Sequence, residues 1–260
     1  MTDRTPFIAG NWKMNLDHLQ AIALIQKLAW TLNEKKHDFK DVEVCVIPPF
    51  TSLRSAQTLI EAEKFDLSLG AQNISQHTSG AFTGEISGAM LAKLAVKYAL
   101  VGHSERRQHH AEADSVIAAK VSACFATKIT PIICVGETQE QLQEFGPSAI
   151  PVQQTLAALD GQTDLNEFVI AYEPVWAIGT GEIATPEQAE SVAGEIRAAI
   201  AEKFGELADQ VRILYGGSVK AVNVAGFMQG ANIDGVLVGG ASLDSDEFAG
   251  IARYKKHIVL

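Results

Sequence analysis

Cysteine, basic charge and long apolar runs are all scarce in this sequence. The three cysteines, Cys45, Cys124 and Cys134, are odd in number, form no CxxC pair and lie in apolar or helical stretches. That pattern argues against a disulfide framework and reads as buried, reduced thiols in a cytosolic protein. Cysteine and histidine do not cluster and no HxxxH occurs, so no metal site and no metal cofactor is expected. The 21 basic residues are outnumbered by 31 acidic ones, giving a net charge of −10. An acidic chain without a Lys/Arg cluster disfavours nucleic acid and anionic membrane as partners. A small anionic ligand remains compatible, because one lysine and a few backbone N–H groups make a local positive pocket. No apolar run approaches the ~20 residues of a membrane span. The opening MTDRTPF lacks the charged-then-apolar order of a secretory signal, so a cytoplasmic protein is expected.

What the chain does have is alternation. Short apolar runs occur at Phe7–Gly10, Val42–Ile47, Leu67–Ala71, Ala99–Gly102, Pro131–Val135, Phe168–Tyr172, Arg212–Tyr215 and Gly235–Val238. They are continuous rather than period-two, as in parallel strands buried on both faces. Helical patterns fall between them, at Leu16–Leu32, Ser52–Ala62, Gly88–Val96, Ser115–Ala126, Pro186–Phe204 and Ser245–Tyr254, with weaker signals after strands five and seven. Eight strand–helix units in 260 residues, with no linker or composition break, predict an α/β fold: one closed (β/α)8 barrel spanning residues 1–260. The rival, an open doubly wound sheet, would favour a GxGxxG after the first strand; Gly10-Asn11-Trp12-Lys13 stands there instead.

In such a barrel the C-terminal strand ends converge on one mouth. The sixth end is the most informative. An apolar run closes on Glu173, Pro174-Val175-Trp176 makes a stiff turn, and the uncharged Ala177–Gly181 follows. Thr185, Pro186 and Gln188 then signal a helix start. A carboxylate beside a loop with stiff and flexible parts fits a base under a lid; the alternative is a surface Glu in an ordinary connection. Gly216-Gly217-Ser218 and Gly239-Gly240 follow strands seven and eight, where bare backbone N–H groups can approach a phosphate. A helical turn from Ala241 would add its dipole. Tight turns are the alternative role for these glycines. Lys13, after strand one, would anchor a phosphate or stabilise an oxyanion, unless it is merely exposed. His103 ends strand four, and a helical turn opening at Ser104 and Glu105 would disfavour its charged form. The inventory fits proton abstraction beside the carbonyl of a small phosphorylated substrate.

GNWKMN at Gly10–Asn15, GHSERR at Gly102–Arg107, AYEPVWAIGTG at Ala171–Gly181, YGGSV at Tyr215–Val219 and LVGGASL at Leu237–Leu243 closely resemble the triosephosphate isomerases. Five motifs in order span nearly the whole chain. The resemblance implies a TIM barrel that interconverts D-glyceraldehyde 3-phosphate and dihydroxyacetone phosphate without a cofactor. It implies Glu173 as the base that moves a proton between C1 and C2, and His103 as a neutral electrophile at the oxygens. Lys13 would stabilise the enediolate and the phosphate, with Asn11 as an oxyanion partner. Gly179, Ser218, Gly239 and Gly240 would grip the phosphate. Glu105 would pair with the lysine, Ser104 and Cys134 would lie behind the reacting groups, and Ala177–Gly181 would close over the substrate. Glu182 departs from the pattern, since lysine is frequent at that position of the second hinge. The long Gln72–Glu85 loop resembles the family's dimer loop, with Thr78 reaching a neighbour's Asn11 and Lys13, so a homodimer is expected. Two other readings compete: a Schiff-base aldolase using Lys13, and a phosphate-binding barrel without catalysis.

Overall fold

The computed structural model describes residues 4–162, 165–177 and 184–256. The elements run β1 (Phe7–Asn11), α1 (His18–Glu34), β2 (Glu43–Ile47), α2 (Phe50–Glu63), β3 (Ser68–Ala71), α3 (Gly88–Lys93), β4 (Tyr98–Val101), α4 (Ser104–His110) and α5 (Asp114–Ala126). Then come β5 (Thr130–Val135), α6 (Gln139–Phe145), α7 (Ala149–Ala158), β6 (Val169–Tyr172), α8 (Pro186–Phe204), β7 (Arg212–Tyr215), α9 (Val224–Phe227), β8 (Gly235–Val238) and α10 (Ser245–Ala252). Every strand pairs in parallel with its neighbours in sequence, and β8 closes on β1, so the sheet is a closed barrel.

Period-two alternation divides the core in two. Phe7, Ala9, Cys45, Ile47, Tyr98, Leu100, Ile132, Cys134, Val169, Ala171, Leu214 and Leu237 fill the barrel interior as one cluster. Their neighbours along the strands, such as Ile8, Val44, Val46, Ile133 and Ile170, face the helices with Ile25, Leu28, Ile117, Ile196 and Phe248. Both faces of each strand are therefore apolar, which is why the sequence shows unbroken runs.

Element ends shift where local geometry overrides the apolar pattern. Helix α1 begins at His18 rather than Leu16, because Leu16 is at φ +70° and Asp17 forms a reciprocal cap with Gln20. Strand β4 stops at Val101, since Gly102 turns at φ +72°. The weak region after strand five holds two helices, α6 with a Thr138–Gln141 capping box and then α7; that after strand seven holds only the short α9. Helix α8 starts as its three signals predict, with Thr185 capping, Pro186 first and Gln188 returning to the Thr185 N–H. No helix among the described residues is long and apolar enough to cross a membrane.

Candidate active site

Glu173 follows β6 directly and is buried, 3% exposed. Two glycines let the chain pack this tightly. A Cβ on Gly136 would lie 1.7 Å from the Glu173 carbonyl oxygen, and one on Gly216 would lie 2.7 Å from Glu173 Cγ. Backbone bonds then clamp this strand exit on both sides: Glu173 N–H donates to Val135 O at 2.7 Å, and Gly216 N–H to Tyr172 O at 2.7 Å. The carboxylate accepts the Ser104 N–H at 3.2 Å on Oε2 and faces His103 Nε2 at 3.1 Å on Oε1.

His103 caps α4, and its Nδ1 accepts the Glu105 N–H at 3.2 Å. An Nδ1 that accepts carries no proton, so the ring's proton is on Nε2, toward Glu173. Burial pushes the imidazole toward neutrality, as the sequence leads one to expect, but the Glu173 carboxylate outweighs it and lifts the pKa above the ordinary value. Burial would likewise raise the Glu173 carboxyl; the imidazole beside it, the Ser104 N–H and the Lys13 charge bring it below the usual range. The contact shifts each group toward its charged form, and that shift lasts only while they touch. Cys134 is buried nearby, its thiol pushed far up by burial and then by the Glu173 charge.

Lys13 reaches the same hollow from β1. Its Nζ lies 2.5 Å from Glu105 Oε1, and its Cε is 3.4 Å from where a Cβ on Gly239 would stand. Its backbone is at φ +52°, a costly conformation for a side-chain-bearing residue and one that clusters at functional sites. Two groups hold it there: the buried Asn11 accepts the Lys13 N–H on Oδ1 at 3.0 Å, and Gln72 Nε2 donates to the Lys13 carbonyl at 2.7 Å.

Asn11, Lys13, His103, Glu173, Gly216, Gly217, Ser218, Gly239 and Gly240 all line one cavity of about 350 Å³. Ser218 is exposed at its rim, and Gly240–Leu243 forms a short 3-10 turn beside it. The sequence-derived groups after strands one, four, six, seven and eight thus open into one space. Of the lid tip, Ala177 ends a short 3-10 turn and is buried, while Gly179 and the rest of 178–181 lie outside the described residues, as do Glu182 and Ile183 of its second hinge. Thr78 stands apart from this cavity, exposed on its loop, where His77 and Phe82 stack with centroids 3.6 Å apart.

Three residues without a role in the sequence reading prove to matter geometrically. Gln72 braces Lys13. Glu137, fully buried, accepts the Trp176 indole N–H at 2.7 Å and the Tyr172 hydroxyl at 2.9 Å, tying the start of the lid to β5 and β6. Lys220 lines the cavity as a second lysine. Glu137 could have been suspected from its position after a buried strand; the other two have no local signal. Among the described residues, no group of three His, Cys, Asp or Glu is arranged to hold a metal ion.

A carboxylate, an imidazole, a lysine and a set of glycines that share one hollow at the C-terminal strand ends make the arrangement of a (β/α)8 barrel enzyme for a small phosphorylated substrate. Comparison with known sequences gives the particular family. The triosephosphate isomerase family model matches residues 6–255, and the chain belongs to that family. It is 59% identical over 257 residues to the triosephosphate isomerase of Leifsonia xyli, covering 98% of this chain and 99% of that protein. It is 54% identical over 262 residues to that of Streptomyces coelicolor, with coverage of 98% and 99%. To that of Saccharopolyspora erythraea it is 54% identical over 248 residues, with 94% of each chain covered.

Proposed function

We infer that the mouth residues carry out the family's aldose–ketose isomerisation, between D-glyceraldehyde 3-phosphate and dihydroxyacetone phosphate, with Glu173 as the base. The observation that carries this assignment is the Glu173–His103 contact of 3.1 Å at the edge of the cavity that Lys13 and the glycines line. Glu173 rests against Ser104 N–H and His103; to work it must leave both and face the carbon beside the substrate carbonyl. It takes that carbon's proton, the bonding pair moves to the carbonyl oxygen, and an enediolate forms. Once the carboxylate has left, burial, the largest influence on His103, favours the neutral form that the Glu105 N–H on Nδ1 requires, and the Lys13 charge works in the same direction. That neutral form is the behaviour this enzyme family is known for. Its Nε2 proton goes to one oxygen while a proton from the other returns, and Glu173 reprotonates the neighbouring carbon. Lys13 and the Asn11 amide offset the oxyanion charge.

The phosphate sits against Ser218, Gly239 and Gly240, and Gly179 joins them when the lid closes. Closure excludes water and keeps the enediolate from eliminating phosphate. A Schiff-base aldolase is less well supported. Such a lysine is desolvated or beside another cation, whereas Lys13 lies against the Glu105 carboxylate.

The acting unit is a homodimer in which the Gln72–Glu85 loop, Thr78 at its tip, enters a hollow of about 290 Å³ on the other protomer. That hollow is lined by Asn11, Lys13, Met14, Glu105 and Arg106. The support is Met14, 96% exposed beside Lys13, and the exposed Phe82 on the loop. Sedimentation of the purified protein as a monomer at assay concentration would count against it.

A coupled assay for conversion of glyceraldehyde 3-phosphate to dihydroxyacetone phosphate tests the reaction. In it, Glu173→Asp retracts the carboxylate by about 1 Å and lowers kcat on the order of 100-fold, with KM little changed. An unaltered rate would remove Glu173 from the chemistry.

A further inference from the structure

Two lysines line the 350 Å³ cavity, and they differ in what neutralises them. Lys13 is paired at 2.5 Å with Glu105. Lys220 is exposed, and among the described residues it makes no ion pair. Its position is nonetheless fixed. The Lys220 N–H donates to Asn223 Oδ1 at 2.8 Å, and Asn223 Nδ2 donates back to the Ser218 carbonyl at 3.2 Å. The next residue, Ala221, donates its N–H to Glu247 Oε1 at 2.7 Å, fastening the turn to α10. The preceding Val219 is buried. The turn that carries Ser218 therefore also holds a lysine stem at the cavity rim.

The whole chain carries −10, so its far field repels a phosphate dianion. The glycine N–H groups act only at contact, and the Lys13 charge is largely cancelled by Glu105. An uncancelled lysine at the mouth is then the group that reaches an anion still in solvent.

We propose that Lys220 steers the phosphate dianion of the substrate into the cradle, setting the rate of capture and its salt dependence rather than the rate of proton transfer. The proposal rests on reading this cavity as the phosphate cradle. It makes Lys220 a positioning residue that acts before the chemistry begins.

The test compares the parent enzyme with Lys220→Gln, Lys220→Glu and Lys220→Arg in the coupled assay. Ionic strength runs from about 0.01 M, where charges act over ~30 Å, to about 0.15 M, where they act over ~8 Å. The expected result is a kcat/KM for Lys220→Gln lowered about fivefold at low salt, with the gap closing as salt rises. Lys220→Glu falls further, Lys220→Arg returns to the parent curve, and kcat stays within about twofold throughout. Inorganic phosphate, as a competitive inhibitor, should weaken in the same order. Salt curves for Lys220→Gln and the parent that run parallel would overturn the proposal. So would a loss confined to kcat, or failure of arginine to restore capture, since each points to a structural role. If the parent itself turns over no triose phosphate, the reading of the cavity fails; an active parent with unchanged Lys220 variants defeats only the steering.

Discussion

At the floor of the barrel Glu43 accepts hydrogen bonds from Ser68 Oγ, Lys97 Nζ, the Tyr98 hydroxyl and Arg212 Nη1; at the mouth the Glu173 carboxylate meets, among the described residues, the Ser104 N–H and the His103 ring. The floor groups stand at the strand starts, Glu43 on β2, Ser68 on β3, Tyr98 on β4 and Arg212 on β7. Arg212 also donates to Tyr98 and Glu167 and lies 4.7 Å over the Phe7 ring. Glu43, Tyr98 and Arg212 bond to one another as a set, while Lys97 and Glu167 join it from the solvent side with side chains more than half exposed. At the mouth the contacts are fewer and exchangeable. Lys13 is held in a left-handed backbone, and Glu173 is poised on partners it can leave. Carboxylates thus serve opposite ends: with many partners at the N-terminal face Glu43 ties strands together, and with few at the C-terminal face Glu173 is left able to exchange them for a substrate.

The largest expected effect breaks the comparison at the mouth. Glu173→Gln keeps the shape and removes the proposed base, and should lower kcat on the order of 10³-fold. Stability should hold or rise, because functional groups are retained at some cost to stability. The variant also carries a second readout. Glu173 is what lifts the His103 imidazole, so without it burial prevails and the His103 titration, followed by NMR, moves down. If Glu173→Gln melts earlier than the parent, the mouth is as structural as the floor and the contrast collapses.

The floor should answer in the opposite way. Lys97 and Arg212 overcome the burial of the Glu43 carboxyl and hold its pKa at about 2, against an ordinary 4.5. A depressed acid contributes stability that is complete above the unfolded value and is lost as pH falls through the folded one. Over the window from about 4.5 down to about 2, the parent should lose on the order of 1–2 kcal/mol from this partly exposed group once solvent screening is allowed for. Glu43→Gln should show that loss already at neutral pH, by urea unfolding, and a correspondingly flatter acid dependence. Its kcat should match the parent. Equal acid slopes for the two proteins would mean that the network is not the source of the stability.

The contrast also marks what could be read from residue order. The eight strands were legible because both faces are buried, and each was located to within a residue or two. The mouth was legible because side chains at strand C-termini follow once a barrel is assumed, and because Glu173, His103 and Lys13 each carry a local signal. The floor was silent. Glu43, Lys97, Tyr98 and Arg212 are brought together only by the register of non-adjacent strands, with Glu43 and Arg212 169 positions apart in the chain. Nothing around Arg212 in an apolar run says which carboxylate it meets. The balance at His103 was only half legible for a related reason. The helix N-terminus was visible in Ser104-Glu105, but the neighbour that outweighs it, Glu173, is supplied by a different strand.

The smallest effect sharpens the contrast, because it concerns a residue that is structural at the mouth. Gln72 Nε2 donates to the carbonyls of both Lys13, at 2.7 Å, and Ile47, at 3.1 Å. It therefore ties the turn after β1 to the end of β2. Lys13 is at φ +52°, a conformation worth of order 1–3 kcal/mol that must be over-determined by its surroundings. Removing the amide in Gln72→Ala leaves the Asn11 hook as the remaining brace, and should cost about 1 kcal/mol of stability. The turn would then relax and draw Nζ away from the cradle, so KM should rise several-fold while kcat falls less. Gln72→Glu, which keeps the length but cannot donate when ionised, should behave like Gln72→Ala in KM. A glutamate variant with parent kinetics would show that side-chain length rather than the donated N–H sets the Lys13 turn, and would make the mouth's backbone as self-sufficient as the floor.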